Sequence, residues 1–173
     1  MIYKDKKLFK IMTGEFTGVV ESKGAIKKIL IAIDKSGYRQ KVIETGTMLA
    51  KALGANLTAI HVVDRASLGV VWDLLSYYPG TRAEMYEGVV QKESAKLLDE
   101  AKNLAQLKGV QMNADLITNA SSAAEGILNY AKEADVDLII VGTKGMTGIE
   151  KFLMGNVASK VVSHAHCPVL AIR

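Results

Sequence analysis

The chain of 173 residues holds a single cysteine, Cys167. An internal disulfide framework is therefore excluded, and the usage fits a reducing cytoplasm. No apolar run approaches the roughly 20 residues that a membrane helix needs, so a membrane is not expected as a partner. The N-terminus is basic but lacks an apolar core followed by a cleavage site, and it is not read as a signal peptide. Internal repeats and low-complexity segments are missing too. So are two familiar phosphate signatures, G-x4-G-K-(S/T) and G-x-G-x2-G. No third ligand joins His164 and His166 at metal spacing, and no Ser-His-Asp or Cys-His arrangement can be assembled.

What is present is globular. The composition is 49% hydrophobic and 23% charged, and the length suits one domain with a real core. The net charge of +4 sits at one end: residues 1–28 hold seven lysines against Asp5, Glu15 and Glu21, so the remainder is formally neutral. Those lysines are interspersed with apolar residues (Leu8, Phe9, Ile11, Phe16) and form no dense block. Residues 1–26 are read as a solvated or partner-packed basic extension rather than a nucleic-acid arm, and residues 27–173 as one α/β domain.

Within that domain, Ile29 to Ile33, Leu57 to Val63 and Leu138 to Val141 are apolar and rich in β-branched residues, as buried parallel strands are. Val110 to Ile117 and Pro168 to Ile172 read as two more strands. Helical spacing follows Ser36, a candidate cap, with Val42, Ile43, Gly46, Leu49, Ala50 and Leu53 inward and Gly54 as terminator. Further helices are expected over 83–107, with Ala95, Leu97, Leu98, Ala101 and Leu104 or Ala105 inward, over 123–134 after Ser121 and Ser122, and over 156–165. The strict alternation predicts a five-stranded parallel sheet, doubly wound and Rossmann-like, with ligands beyond the strands' carboxyl ends where the strand order reverses.

One stretch concentrates the chemistry. Strand 138–141 stops at Gly142, and the spacing runs Gly142-x2-Gly145-x9-Gly155 before Asn156 opens a helix. Glycines punctuate turns, but a strand running through them into a helix gathers bare N–H groups and a positive helix end in one place. We therefore read phosphate binding over plain turns. Gly155 allows close approach, Asn156 and Val157 offer N–H groups, and Thr143 and Lys144 lie inside the loop. Asp34, after the first strand, reads from the residues alone as a cap for the next helix. His61 reads as a satisfied core histidine, and Cys167 as a buried, inert thiol.

The glycine spacing, together with the ending His166-Cys-Pro-Val-Leu-Ala-Ile172, resembles the universal stress protein family, whose nucleotide-binding members carry G-x2-G-x9-G-(S/T). Asn156 departs from the usual Ser or Thr but keeps a hydrogen-bond donor. The resemblance implies strand order 3-2-1-4-5, with a crevice between the first and fourth strands where Asp34 and Gly142 meet. It implies an adenine nucleotide, ATP with Mg²⁺ or Mn²⁺ on the phosphates, with Ala32 and Val62 lining the base pocket and Asp34 at its ribose end. It also implies a homodimer through antiparallel pairing of Pro168 to Ile172. With no base placed for water attack and no arginine in the loop, a cytoplasmic nucleotide-dependent regulator is expected rather than a proficient enzyme, with slow hydrolysis at most. Two alternatives stand beside it. One is the same fold with a lapsed site, acting as a dimerisation protein; the other is a KH-type RNA-binding loop, which 142–149 resembles through its Gly142-x2-Gly145 pair with a lysine between the glycines. A KH loop joins two helices, which makes its context the discriminator. Residues 65–82, with Trp72, Tyr77, Tyr78 and Pro79-Gly80, are a candidate lid.

Overall fold

The computed structural model describes residues 25–64, 81–118, 120–143 and 154–173. Residues 1–24 of the basic extension, nearly all of the candidate lid and the 144–153 part of the glycine loop, with Lys144 and Gly145, lie outside the described residues. In chain order the elements are β1 (Lys28–Ala32), α1 (Arg39–Leu53), β2 (Asn56–Val62), α2 (Thr81–Leu107), β3 (Met112–Ile117), α3 (Ala123–Glu133), β4 (Leu138–Gly142), α4 (Asn156–His164) and β5 (Val169–Ile172). All strand pairs are parallel, in the order β3-β2-β1-β4-β5. That is the expected doubly wound sheet. Its glycine segment leaves a strand, not a helix, which removes the KH reading.

The alternating pleat divides the core in two. Ile29, Ile31, Leu57, Ala59, Leu138 and Ile140 face α1 and α2, meeting Val42, Ile43, Leu97, Leu98, Ala101 and Ala105. On the other face Leu30, Ile60, Ile139 and Val141 meet Ala124, Ile127 and Ala131 of α3 and Ala158 and Val161 of α4. At Gly46 the helix lies so close to the sheet that an added Cβ would stand 2.5 Å from Ile31 Cγ2. Gly54 adopts the left-handed C-cap (φ 64°) that glycine takes at least cost.

Several expectations need correction. Ser36 does not cap α1: the helix begins at Arg39 behind Tyr38, with no side-chain cap bond, because Ser36 is held in a turn by its N–H to Asp34 Oδ1 (3.0 Å). Leu53 is 49% exposed, because its stripe position falls in the final turn, while Thr47 is buried and bonds the Ile43 carbonyl (2.7 Å). On α2, Ala95 faces solvent and Ser94 is buried in its place; of the Leu104–Ala105 pair, Ala105 is the inward one. On α4 only Ala158 and Val161 are buried, while Val157 and Val162 stand exposed.

Two contacts carry expected outcomes. Tyr130 of α3 donates to Asp115 Oδ2 of β3, and burial, then Asp115, pushes the phenol up to about 12. The folded chain thus holds a proton that the unfolded chain releases near pH 10. The stabilisation from Tyr130 is fully present below about pH 10 and is lost as the pH rises to about 12. Cys167, raised to about 11 by burial and the charge of Asp137, acts in the same direction. In denaturant melts the Tyr130→Phe variant should show a shallower alkaline decline than wild type.

The second contact is at the start of α3. Its N-terminus is capped twice, by Ser122 Oγ accepting from Glu125 N–H (3.3 Å) and by Asp64 Oδ2 accepting from Ala123 N–H (2.9 Å). Asp64→Ala should cost about 1 kcal/mol in urea unfolding, the usual scale of a lost cap.

Candidate functional site

The strand order reverses between β1 and β4. Their neighbours lie on opposite sides, and the crossovers from the two strands run to opposite faces. Ala32 pairs with Val141, so Gly142, the last residue of β4, and Asp34, two residues past β1, lie at adjacent strand ends, as the family resemblance implied. The Asp34 carboxylate accepts the Ser36 N–H and so caps a turn, not the helix.

The glycine segment is tied at both ends. Thr143 donates its N–H (2.8 Å) and its hydroxyl (3.0 Å) to the Ile172 carbonyl of β5. Its own carbonyl accepts the Gly155 N–H at 2.7 Å, which draws the start of α4 back onto the end of β4. Gly155 is the N-cap, with φ −58° and ψ 154° and no side-chain cap bond. Asn156 is therefore the first helical residue rather than the cap, and Val157 the second. Their N–H groups belong to the turn that has no partners inside its own helix. With no acidic side chain in that turn, the helix end keeps its positive character beside the crevice.

β2 brings the third component. Val62 is its last residue, opposite Ile117. Its side chain packs on α3 at Gly126, where an added Cβ would stand 2.8 Å from Val62 Cγ1. The Ile60 carbonyl accepts the Ile33 N–H (2.9 Å), so backbone groups of even-numbered β2 residues point to β1. By the same alternation, the N–H and C=O of Val62 point past the end of β1. His61 is half-buried, and its Nδ1 lies 2.9 Å from the Ile33 carbonyl.

The model of the universal stress protein family matches residues 25–173. The chain belongs to the universal stress protein family. Among curated members it is 38% identical over 152 residues to the universal stress protein YxiE of Bacillus subtilis, covering 84% of this chain and 98% of that protein. The fold of this universal stress protein also matches solved members. One, from Archaeoglobus fulgidus in complex with dAMP, has a TM-score of 0.59 at 21% identity, covering 85% of this chain and 98% of that one. Another, in complex with cAMP, has a TM-score of 0.60 at 20% identity, covering 87% and 98%.

The structure thus gathers Ala32, Asp34, Val62, Gly142, Thr143, Gly155, Asn156 and Val157 at one edge of the sheet. Reading along the sequence missed the Thr143 link to β5 and the Asp64 cap on α3; both join residues far apart in the chain, and only an exposed-looking Thr and a strand-ending Asp hinted at them. His164 Nδ1 lies 2.9 Å from the Lys160 carbonyl, closing its own helix. Among the described residues no three His, Cys, Asp or Glu side chains cluster to hold a metal, and no helix is long and apolar enough to cross a membrane. A separate depression of about 580 Å³, lined by Glu44, Thr45, Thr47, Met48, Lys51 and Lys108, lies along α1 and away from the switch point.

Proposed function

We propose that this chain binds ATP at the β1–β4 switch point and acts as a cytoplasmic, nucleotide-dependent regulator rather than a proficient enzyme. One observation carries the reading: the Gly155 to Thr143 bond sets an uncapped helix N-terminus beside a strand end, across from Asp34 and the outward-pointing backbone of Val62. In this reading the adenine edge meets the N–H and C=O of Val62 and packs on Ala32, and Asp34 takes the ribose. Thr143, Lys144, Gly145, Gly155, Asn156 and Val157 surround the phosphates. A divalent cation, Mg²⁺ or Mn²⁺, is carried by the phosphates themselves. The dAMP and cAMP complexes of family members support adenine as the base.

The protein also forms a homodimer in this reading. Among the described residues β5 ends the sheet, paired only with β4, and all four of its residues are half-buried in the single chain. An edge of that kind is suited to covering by a second copy. The nucleotide reading is tested by calorimetric titration with ATP, ADP and AMP, with and without Mg²⁺. Saturable binding that weakens from ATP to AMP is expected. No heat with any of the three would favour the lapsed-site alternative, with dimerisation as the remaining role.

A further inference from the structure

We infer that His61 is a positioning residue that keeps the Val62 amide available and so sets the preference for adenine; the inference rests on the nucleotide reading above. The β1–β2 register ends with Ala32 opposite Ile60, and one more backbone bond follows, from Ile33 N–H to the Ile60 carbonyl at 2.9 Å. In a continuing parallel ladder the next rung would run from Val62 N–H to the Ile33 carbonyl. That carbonyl is engaged by the His61 ring at 2.9 Å. A carbonyl only accepts, so Nδ1 carries the proton and donates it. The imidazole replaces the rung, and the ladder stops one step short of Val62.

The consequence is chemical. The Val62 N–H and C=O, directed past β1, form a donor beside an acceptor. Adenine presents the complement, an N1 acceptor beside an N6 amino donor. Guanine presents the reverse and leaves both groups opposed. On the far side of β2, Gly126 lets the Val62 side chain seat against α3, where any Cβ would crowd it. Val62 is thereby held from its side chain while its N–H, among the described residues, makes no ladder bond to the Ile33 carbonyl. If the Ile33 carbonyl lost the imidazole, it would be a buried acceptor in need of a donor, and the nearest one along the ladder is the Val62 N–H.

The test uses ATP and 1-deaza-ATP, which lacks the N1 acceptor, against the wild-type chain and the His61→Phe, His61→Leu and His61→Asn variants. Wild type should prefer ATP about tenfold, the scale of one hydrogen bond. His61→Phe and His61→Leu should lose that preference. His61→Asn, whose amide can donate to the same carbonyl, should retain it, and this rescue separates positioning from bulk. If wild type binds ATP while all three variants keep its preference, or Asn fails where Phe fails, the inference is overturned. A wild type that binds neither compound overturns the nucleotide reading itself.

Discussion

Replacing Gly155 with valine should lower ATP affinity about a hundredfold and leave the fold intact. The backbone at Gly155 (φ −58°, ψ 154°) lies in a region open to any L-residue, so valine brings no backbone strain. No cap is lost either, because Gly155 supplies no side-chain bond, and its N–H can still reach the Thr143 carbonyl. What changes is access. A branched side chain at the N-cap stands beside the first N–H groups of α4 and keeps a phosphate from closing on them. Two charge-assisted bonds at about 1.5 kcal/mol each amount to about 3 kcal/mol, or about a hundredfold. Calorimetry on the variant, with a melting curve beside it, reads both halves of the expectation. A fully folded variant with wild-type affinity would move the phosphates away from α4.

Gly46→Val should give the largest loss of stability, about 3 kcal/mol. The added Cβ would meet Ile31 Cγ2 at 2.5 Å, with Leu57 Cδ1 at 3.5 Å and Ile140 Cδ1 at 3.7 Å behind it. Those three side chains are buried in the centre of the sheet and have no free direction in which to yield. Helix α1 must lift off β1, and overpacking of this kind costs about 1–3 kcal/mol in well-packed cores. The gain in helix propensity on losing glycine, about 0.5 kcal/mol for a β-branched residue, offsets little of that. Since domains are stable by only about 5–15 kcal/mol, the urea midpoint should fall sharply at unchanged slope. Lifting α1 also shifts the turn at Asp34, so ATP affinity should fall with stability.

Much of this molecule was legible along the chain. Ile29 to Ile33 and Leu138 to Val141 announce buried parallel strands because both faces are covered; the strand order, and with it the switch point, came only from the family resemblance that the glycine spacing carries. Less legible were positions where several elements compete for one side chain. Ser36 has a cap's chemistry, but Asp34 reaches it first and delays the helix to Arg39. Ala95 and Ser94 are neighbours on α2, and the helix's rotation buries the polar one. Helical spacing narrows the choice to a face without fixing its angle to within one residue. Asp64 and Thr143 escaped because their partners lie 59 and 29 residues away, a separation that only the finished sheet closes.

The most direct test of the central claim is backbone amide shift mapping of isotope-labelled protein titrated with ATP and Mg²⁺. The account predicts saturable shifts at Val62, Asn156 and Val157 and beside Asp34, with one nucleotide per chain. Shifts confined to Glu44, Thr45, Met48, Lys51 and Lys108 would contradict it by moving the site to the depression along α1.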